Sequence, residues 1–197
     1  LCCEQIRTCA AYTNLPVRLL GHHSGISFGY YGSSHHATED IGIMRGIANL
    51  GVVCPCDAHS FEQALIQTVD VEGPIYFRLG RGRDPDVYTP DMPWEYGKLS
   101  VLREGKDGLI IANGIMVVEA MKASETLSNE GLDLSVVDLH TIDPLDVDNL
   151  ASQVASVNKV FVAEEHSTRG GVATTVADTM VDQNIANVKL IRIGFPA

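Results

Sequence analysis

The sequence predicts an α/β protein made of two mostly parallel, doubly wound α/β domains, and two observations carry that expectation. Short apolar runs recur along the 197 residues and alternate with segments of helical periodicity. That is the pattern of a largely parallel sheet covered by helices on both faces. The alternation breaks once, over residues 84–107, where Asp84-Pro85-Asp86, Thr89-Pro90-Asp91 and Met92-Pro93-Trp94 place three prolines within nine residues. Such a stretch reads as a linker. The expected division is a first unit over 1–83, a linker over 84–107 and a second unit over 108–197.

Taken in order, residues 1–14 fit an amphipathic helix with Cys2, Ile6, Cys9 and Ala10 on one face, ended by Asn14-Leu15-Pro16. Apolar runs predict strands over 17–20, 51–54 and 75–79, and helices are expected over 40–49 and 61–69. Ser60 and Gln63 have capping-box spacing for the second of these helices. After the linker the pattern predicts strands over 109–112, 134–138, 159–162 and 189–193, with helices over 116–129, from 145, and over 172–183. Gly131 stands where a helix end needs a left-handed residue. Asp143-Pro144 reads as an N-cap followed by proline at the first helical position.

Composition bounds the function. Hydrophobic residues make up 45 % and charged residues 20 %, enough for a packed core, and 14 basic against 25 acidic residues give a net charge of −11. So acidic a chain lacks the basic footprint of a nucleic-acid or anionic-membrane binder. Cysteines 2, 3, 9, 54 and 56 are odd in number and bunched, unlike a disulfide framework, and read as reduced thiols in a cytoplasmic protein. Cys54 and Cys56 read as small buried hydrophobes. No apolar run reaches the ~20 residues that span a bilayer.

The densest chemistry lies between Gly21 and Asp40, which holds four histidines and four glycines after an apolar run. Glycine allows positive φ and close approach to a ligand, and histidine exchanges protons near neutral pH. At the carboxyl end of a strand this combination reads as a functional loop. No zinc-type spacing accompanies the histidines. Arg81, between Gly80 and Gly82 after a buried strand, reads as part of an anion-binding loop.

Several strings carry a resemblance. Gly21 to Asp40 with Ile43-Met44-Arg45-Gly46, then Cys54-Pro55-Cys56-Asp57, then Gly73-Pro74-Ile75-Tyr76-Phe77-Arg78-Leu79-Gly80-Arg81-Gly82, follow one another in the order seen in the transketolase family. Val137-Asp138-Leu139-His140-Thr141-Ile142-Asp143-Pro144 and Ala163-Glu164-Glu165-His166-Ser167-Thr168-Arg169-Gly170-Gly171 continue it. The chain resembles the second half of the pyrimidine-binding domain plus the C-terminal domain, and is similar to the C-terminal subunit of split transketolases.

The resemblance implies thiamine-diphosphate-dependent transfer of a two-carbon ketol unit between sugar phosphates, with magnesium. It implies that His23 and Arg81 contact the substrate phosphate and that His35 is a catalytic proton or hydrogen-bond partner beside the donor's reacting oxygens. Tyr31 stands where the family carries a hydroxyl-recognising aspartate, so substrate choice is open. No Gly-x-x-Glu motif for the pyrimidine ring is present, and the cofactor is expected to be bound mainly by regions outside this chain. The implied partners are sugar phosphates, an N-terminal cofactor-binding subunit or domain, and further copies in an oligomer. Glu164-Glu165-His166 could be a metal or acid/base cluster, although the resemblance places its domain outside the reaction centre. Alternatives are a non-catalytic remnant or assembly subunit, deoxyxylulose-phosphate synthase, and the β subunit of a 2-oxoacid dehydrogenase.

Overall fold

The computed structural model describes residues 2–82 and 84–196. In chain order the elements are α1 (Cys2–Gln5), a π-helical turn (Ile6–Ala11), β1 (Arg18–Gly21), two 3₁₀ turns (Gly29–Tyr31 and Ser33–His35), α2 (Asp40–Met44), β2 (Gly51–Val53), α3 (Ala58–Thr68) and β3 (Ile75–Arg78). There follow β4 (Ser100–Arg103), β5 (Gly108–Ala112), α4 (Met116–Asn129), β6 (Leu134–Asp138), β7 (Thr141–Asp143), α5 (Val147–Ala155), β8 (Lys159–Ser167), α6 (Val172–Asp182) and β9 (Lys189–Phe195). The α/β expectation holds: one sheet runs β1-β3-β2-β7 and the other β4-β6-β5-β8-β9. β7 and β4 are the antiparallel members, and the remaining pairings are parallel.

Strand period fixes the core. Neighbouring residues on one strand point to opposite faces, so Val52, Tyr76, Ile111 and Val137 enter one apolar cluster while Val53, Phe77, Ile110 and Val136 enter another. Helices seal both: Ile41 of α2, Leu150 of α5 and Val172 of α6 pack in the first cluster, and Ala64 of α3 and Val117 of α4 in the second. Each cluster takes residues from both sheets, so the halves share their core. β7, from the second half, completes the sheet of the first by pairing antiparallel with β2.

Several local expectations need correction. The chain's first helix winds through a π turn, with Tyr12 N–H bonding Arg7 O at 2.8 Å. The wider turn rotates the buried face onto Ala10 and Ala11 and leaves Cys2 and Cys9 exposed. The capping box of α3 is Asp57 with Ser60: Asp57 Oδ1 accepts from Ser60 N–H at 2.8 Å, and Ser60 Oγ accepts from Asp57 N–H at 3.1 Å. Asp143-Pro144 is not a helix start. Asp143 ends β7, the bond to Pro144 is cis, and Asp146 precedes α5. The proline-rich stretch is not simply a solvated connector: Tyr88, Trp94 and Leu99 are buried in it and β4 lies within it. Gly131 has φ +89°, as its place after α4 requires. No helix among the described residues is long and apolar enough to cross a membrane.

Where the two sheets meet, β6 ends on a fully buried acid. Burial pushes the Asp138 carboxyl up to about 8, against the pull of the Tyr88 hydroxyl that donates to it at 2.8 Å. Asp57 nearby adds to the rise and the Cys56 thiol opposes it. His140, stacked on Trp94 at 4.3 Å, is held down to about 3 by burial and stays neutral. From about pH 4, where the unfolded Asp138 ionises, to pH 8, the native state holds a proton that the unfolded chain has lost. Stability from this group therefore falls as pH rises through that window. Asp138→Asn keeps the acceptor for Tyr88 and cannot ionise. Urea unfolding should show its stability relative to the parent growing between about pH 4 and 8 and levelling above. Parallel stability curves across that window would contradict the assignment.

Candidate functional site

The histidine-rich loop leaves β1 at Gly21 and returns to the body at Asp40, the start of α2. Its entrance is strapped to the segment after β3: His23 N–H donates to Gly80 O at 3.1 Å and Ser24 N–H to Leu79 O at 3.0 Å. Its base is closed by Gly25 and Ala37, whose N–H groups each donate to the other's carbonyl at 2.9 Å. Beyond the bridge, Arg78 secures the exit. Its Nη2 donates to Ala37 O at 3.0 Å and to Glu165 O at 2.9 Å, and its Nε reaches Asp40 Oδ2 at 2.8 Å. Although burial opposes the charge, the adjacent Asp40 raises the Arg78 pKa and keeps the guanidinium ionised.

All four residues singled out from the sequence meet around Phe28, which was not. His23 stacks on the Phe28 ring at 4.1 Å and 9°, and the Arg81 guanidinium lies 4.7 Å from its centroid. Tyr31 meets the same ring edge-on at 5.3 Å and His35 at 6.3 Å, and Tyr31 and His35 stack on each other at 4.8 Å. Tyr30 joins them, its hydroxyl 3.3 Å from Arg81 Nη2. A ring face with its negative quadrupole attracts a guanidinium and an imidazole edge alike. The sequence did contain a signal for Phe28: a phenylalanine among the histidines and tyrosines of a glycine-rich loop.

His23 and Arg81 also line a cavity of about 410 Å³ with Cys56, Asp57, Phe61 and Asp84. Tyr31 and His35 lie outside that lining, on the Phe28 side. Desolvation, the neighbouring His22 and the Arg81 charge all lower the His23 pKa, so its imidazole is neutral at pH 7. Asp57 has its charge satisfied by Ser60, Val87 and Tyr88 N–H groups, which together outweigh burial and lower its pKa. Asp84 was not singled out from the sequence. Its carboxylate crowds the α-carbon of Gly80, where an added Cβ would lie 2.1 Å from Oδ2. An arginine and a carboxylate on one rim suit a ligand with an anion at one end and hydroxyls at the other.

Other candidates resolve as structure. Glu164 accepts from Val172 N–H at 2.6 Å and Ala173 N–H at 3.0 Å, filling the amino end of α6 that Gly170-Gly171 opens. Buried His166 bonds Ser167 O through Nδ1 and accepts from Gly42 N–H through Nε2. Glu164 and His166 are thus held by backbone partners around the start of α6 and at Gly42. Glu165 reaches the histidine loop, so the second half does touch the candidate site. Cys54 and Cys56 are buried thiols, Cys54 pushed up to about 12 chiefly by burial.

The cavity lies at the carboxyl ends of the parallel strands β1, β2 and β3, with an arginine and a histidine on its wall, where open α/β sheets commonly bind ligands. Residues 1–85 match the model of the transketolase pyrimidine binding domain, and residues 97–196 match that of the transketolase C-terminal domain. The chain belongs to the transketolase family. It is 40 % identical over 87 % of its length to a putative uncharacterized transketolase family protein, y4mN, of Sinorhizobium fredii. It is 34 % identical over 96 % to one of the subunits of the apulose-4-phosphate transketolase of Phocaeicola vulgatus. It spans 50 % of the first relative and 61 % of the second. A solved structure described as a split gene transketolase, inactive beta4 tetramer, superposes with a TM-score of 0.88 at 34 % identity, covering 98 % of this chain and 62 % of that one.

The family implies thiamine diphosphate. Among the described residues no three His, Cys, Asp or Glu side chains converge to hold a metal ion. The cavity's Asp57 is already occupied by backbone donors and its wall offers Arg81 as the described cation. These residues do not fit a metal-bound diphosphate.

The Phe28 stack makes a testable demand. Phe28→Ala removes a ring that desolvates His23, so the imidazole midpoint should move up toward its ordinary value in an NMR titration. The melting curve should change little, because the cluster lies at the surface. An unmoved His23 midpoint would mean that the stack does not exist in solution.

Proposed function

We propose that this chain supplies the substrate-facing half of a transketolase, moving a two-carbon ketol unit between sugar phosphates with thiamine diphosphate and Mg²⁺ held by another chain or region. The observation that carries this reading is the convergence of His23 and Arg81 on one cavity wall. Similarity to one subunit of a two-part transketolase supports a separate cofactor-binding partner and an oligomer, and five free cysteines accord with a cytoplasmic setting. Residues 1–83 would face the substrate, 84–107 connect, and 108–197 support assembly.

The roles follow from donor and acceptor chemistry. Arg81 and His23 take the phosphate, and Tyr31 offers a phenol to a sugar hydroxyl. His35, whose Nδ1 meets Ser34 Oγ at 3.0 Å, presents Nε2 to a reacting oxygen and exchanges a hydrogen bond or proton there. Phe28 holds these groups in one array at the surface.

Arg81→Ala tests the reading in the assembled enzyme. Loss of a charge-assisted bond should cost about 1.5–3 kcal/mol, roughly ten- to a hundredfold in kcat/KM, on phosphorylated sugars. An unphosphorylated acceptor should be affected little. Equal losses on both substrates would mean that Arg81 only holds the Phe28 loop together.

A non-catalytic assembly role is the second reading, favoured by Tyr31 standing where the family carries a hydroxyl-recognising aspartate. Calorimetric titration with thiamine diphosphate and Mg²⁺ separates the two. The chain alone should give no saturable heat, and the chain with its cofactor-binding partner should give a stoichiometric one. Absence of binding in that complex would favour the assembly role, whereas tight binding by the chain alone would overturn the placement of the cofactor elsewhere.

A further inference from the structure

The histidine loop is pinned by a side chain from the other sheet. β8 carries its pairing with β9 as far as Ser167 and brings Glu165 beneath the loop base. Glu165 Oε1 accepts from Ile26 N–H at 3.1 Å, across 139 residues of sequence. Its carboxyl also fills the space beside Gly25. A Cβ added there would lie 2.1 Å from Glu165 Cδ, and Gly25 has φ +60°. Position 25 thus excludes a side chain twice, by backbone conformation and by the carboxyl lodged against it.

The place of the pin matters. Ile26 lies three residues after His23 and two before Phe28, and the stacked rings of those two residues anchor the aromatic array. His23 itself holds φ +63°, an uncommon conformation for a residue with a side chain. Such a conformation persists where surrounding contacts over-determine it. Here the contacts are Gly80 O on the His23 amide, Ala37 on Gly25 and Glu165 on Ile26. Backbone bonds secure the opposite stem, where Ser167 N–H donates to Thr38 O at 2.7 Å. The Glu165 main chain is fixed in turn by Arg78, so its side chain projects from a rigid strand. The carboxyl stands within electrostatic reach of Arg78, His36 and Asp84.

We propose that Glu165 is a positioning residue of the candidate site: by accepting the Ile26 N–H and filling the space at Gly25, it sets the turn that stacks His23 on Phe28. The kinetic consequence rests on the proposed transketolase reading, but the pin itself does not. A residue of the C-terminal half thereby controls the geometry of a site built on the other half.

The test compares Glu165→Ala, which removes the acceptor, with Glu165→Gln, which keeps an oxygen in place, in the full chain and in its complex with the cofactor-binding partner. In the chain, the His23 ring protons, shifted upfield by the stacked Phe28, should move toward their unstacked positions in Glu165→Ala and stay in Glu165→Gln. Gly25→Ala, whose methyl would strike the carboxyl, should reproduce the Glu165→Ala shift. In the complex, KM for the phosphorylated substrate should rise roughly tenfold in Glu165→Ala with kcat within about twofold, and Glu165→Gln should recover most of it. Unshifted His23 resonances in Glu165→Ala would overturn the proposal. So would exchange of β5 and β6 amides rising as much as that of Gly25 and Ala37, because Glu165 would then be supporting the fold at large. A parent complex without ketol transfer would remove the proposed function, and the His23 resonances would still decide the pin.

Discussion

The structure depends on one buried charge. Arg78 closes β3 with a guanidinium that is almost wholly enclosed, and its three bonds reach Asp40 at the start of α2, Ala37 at the loop exit and Glu165 on β8. Breaking a buried pair by removing one partner typically costs about 3–5 kcal/mol, because the remaining charge stays enclosed and uncompensated. That penalty ties together the end of the histidine loop, the following helix and the second sheet. Tyr76 adds its hydroxyl to Asp40 at 2.9 Å, so Tyr76 and Arg78 converge on one carboxylate from a single strand. The ion pair specifies geometry more than it adds net stability, since apolar packing of equal volume could hold the same elements without fixing their register.

The same junction concentrates polar groups at the carboxyl ends of β2, β5 and β6. Cys54 and Cys56, Asn113, Asp138 and His140 are all buried there. Neutral forms make this tolerable: burial keeps both thiols protonated, Asp138 protonated through neutral pH and His140 uncharged. Arg78 carries its charge in this junction because Asp40 lies against it. The motif Asp138-Leu139-His140-Thr141 therefore serves the seam between the sheets. Trp94 from the proline-rich stretch covers His140, and β7 turns away immediately afterwards to join the other sheet. A short segment thus does two jobs, sealing one sheet and extending the next.

The candidate site is built on that seam rather than on either half alone. Its cavity wall comes from the segments after β1, β2 and β3, its aromatic array from the loop between β1 and α2, and its pin from β8. Aromatic rings at Tyr30 and Tyr31 give this site a surface of stacked faces where a charged recognition residue would offer a strong acceptor. On the proposed reading, the anion would meet Arg81 and substrate hydroxyls the phenols beside the cavity, a surface that would discriminate by shape and stacking as much as by charge.

Much of this was legible along the chain. Apolar period two and period 3.6 place β5, α4, β6 and α6 within a residue or so, because buried strands and long helices repeat their signal over several turns. Gly80-Arg81-Gly82 and the histidine-glycine loop announced themselves by residue type at strand ends. β4 and β7 did not: β4 lies toward the end of the proline-rich stretch and β7 comes directly after β6, and each pairs antiparallel with a strand that offers it an edge. The π turn before β1 and the Asp57 cap likewise depend on neighbours that sequence spacing does not reveal. Sequence by itself determined the α/β class and the family motifs, and it nominated His23, Tyr31, His35 and Arg81 as candidates. Tertiary structure alone decided that Phe28 is their common partner, that Arg78 and Asp40 bind the halves, and that Glu165 reaches across to Ile26. Local backbone turns bring the rings of the loop together, whereas the bonds of Arg78 and Glu165 join residues far apart in the chain, and only packing of the strands and sheets into one core brings those atoms within bonding distance.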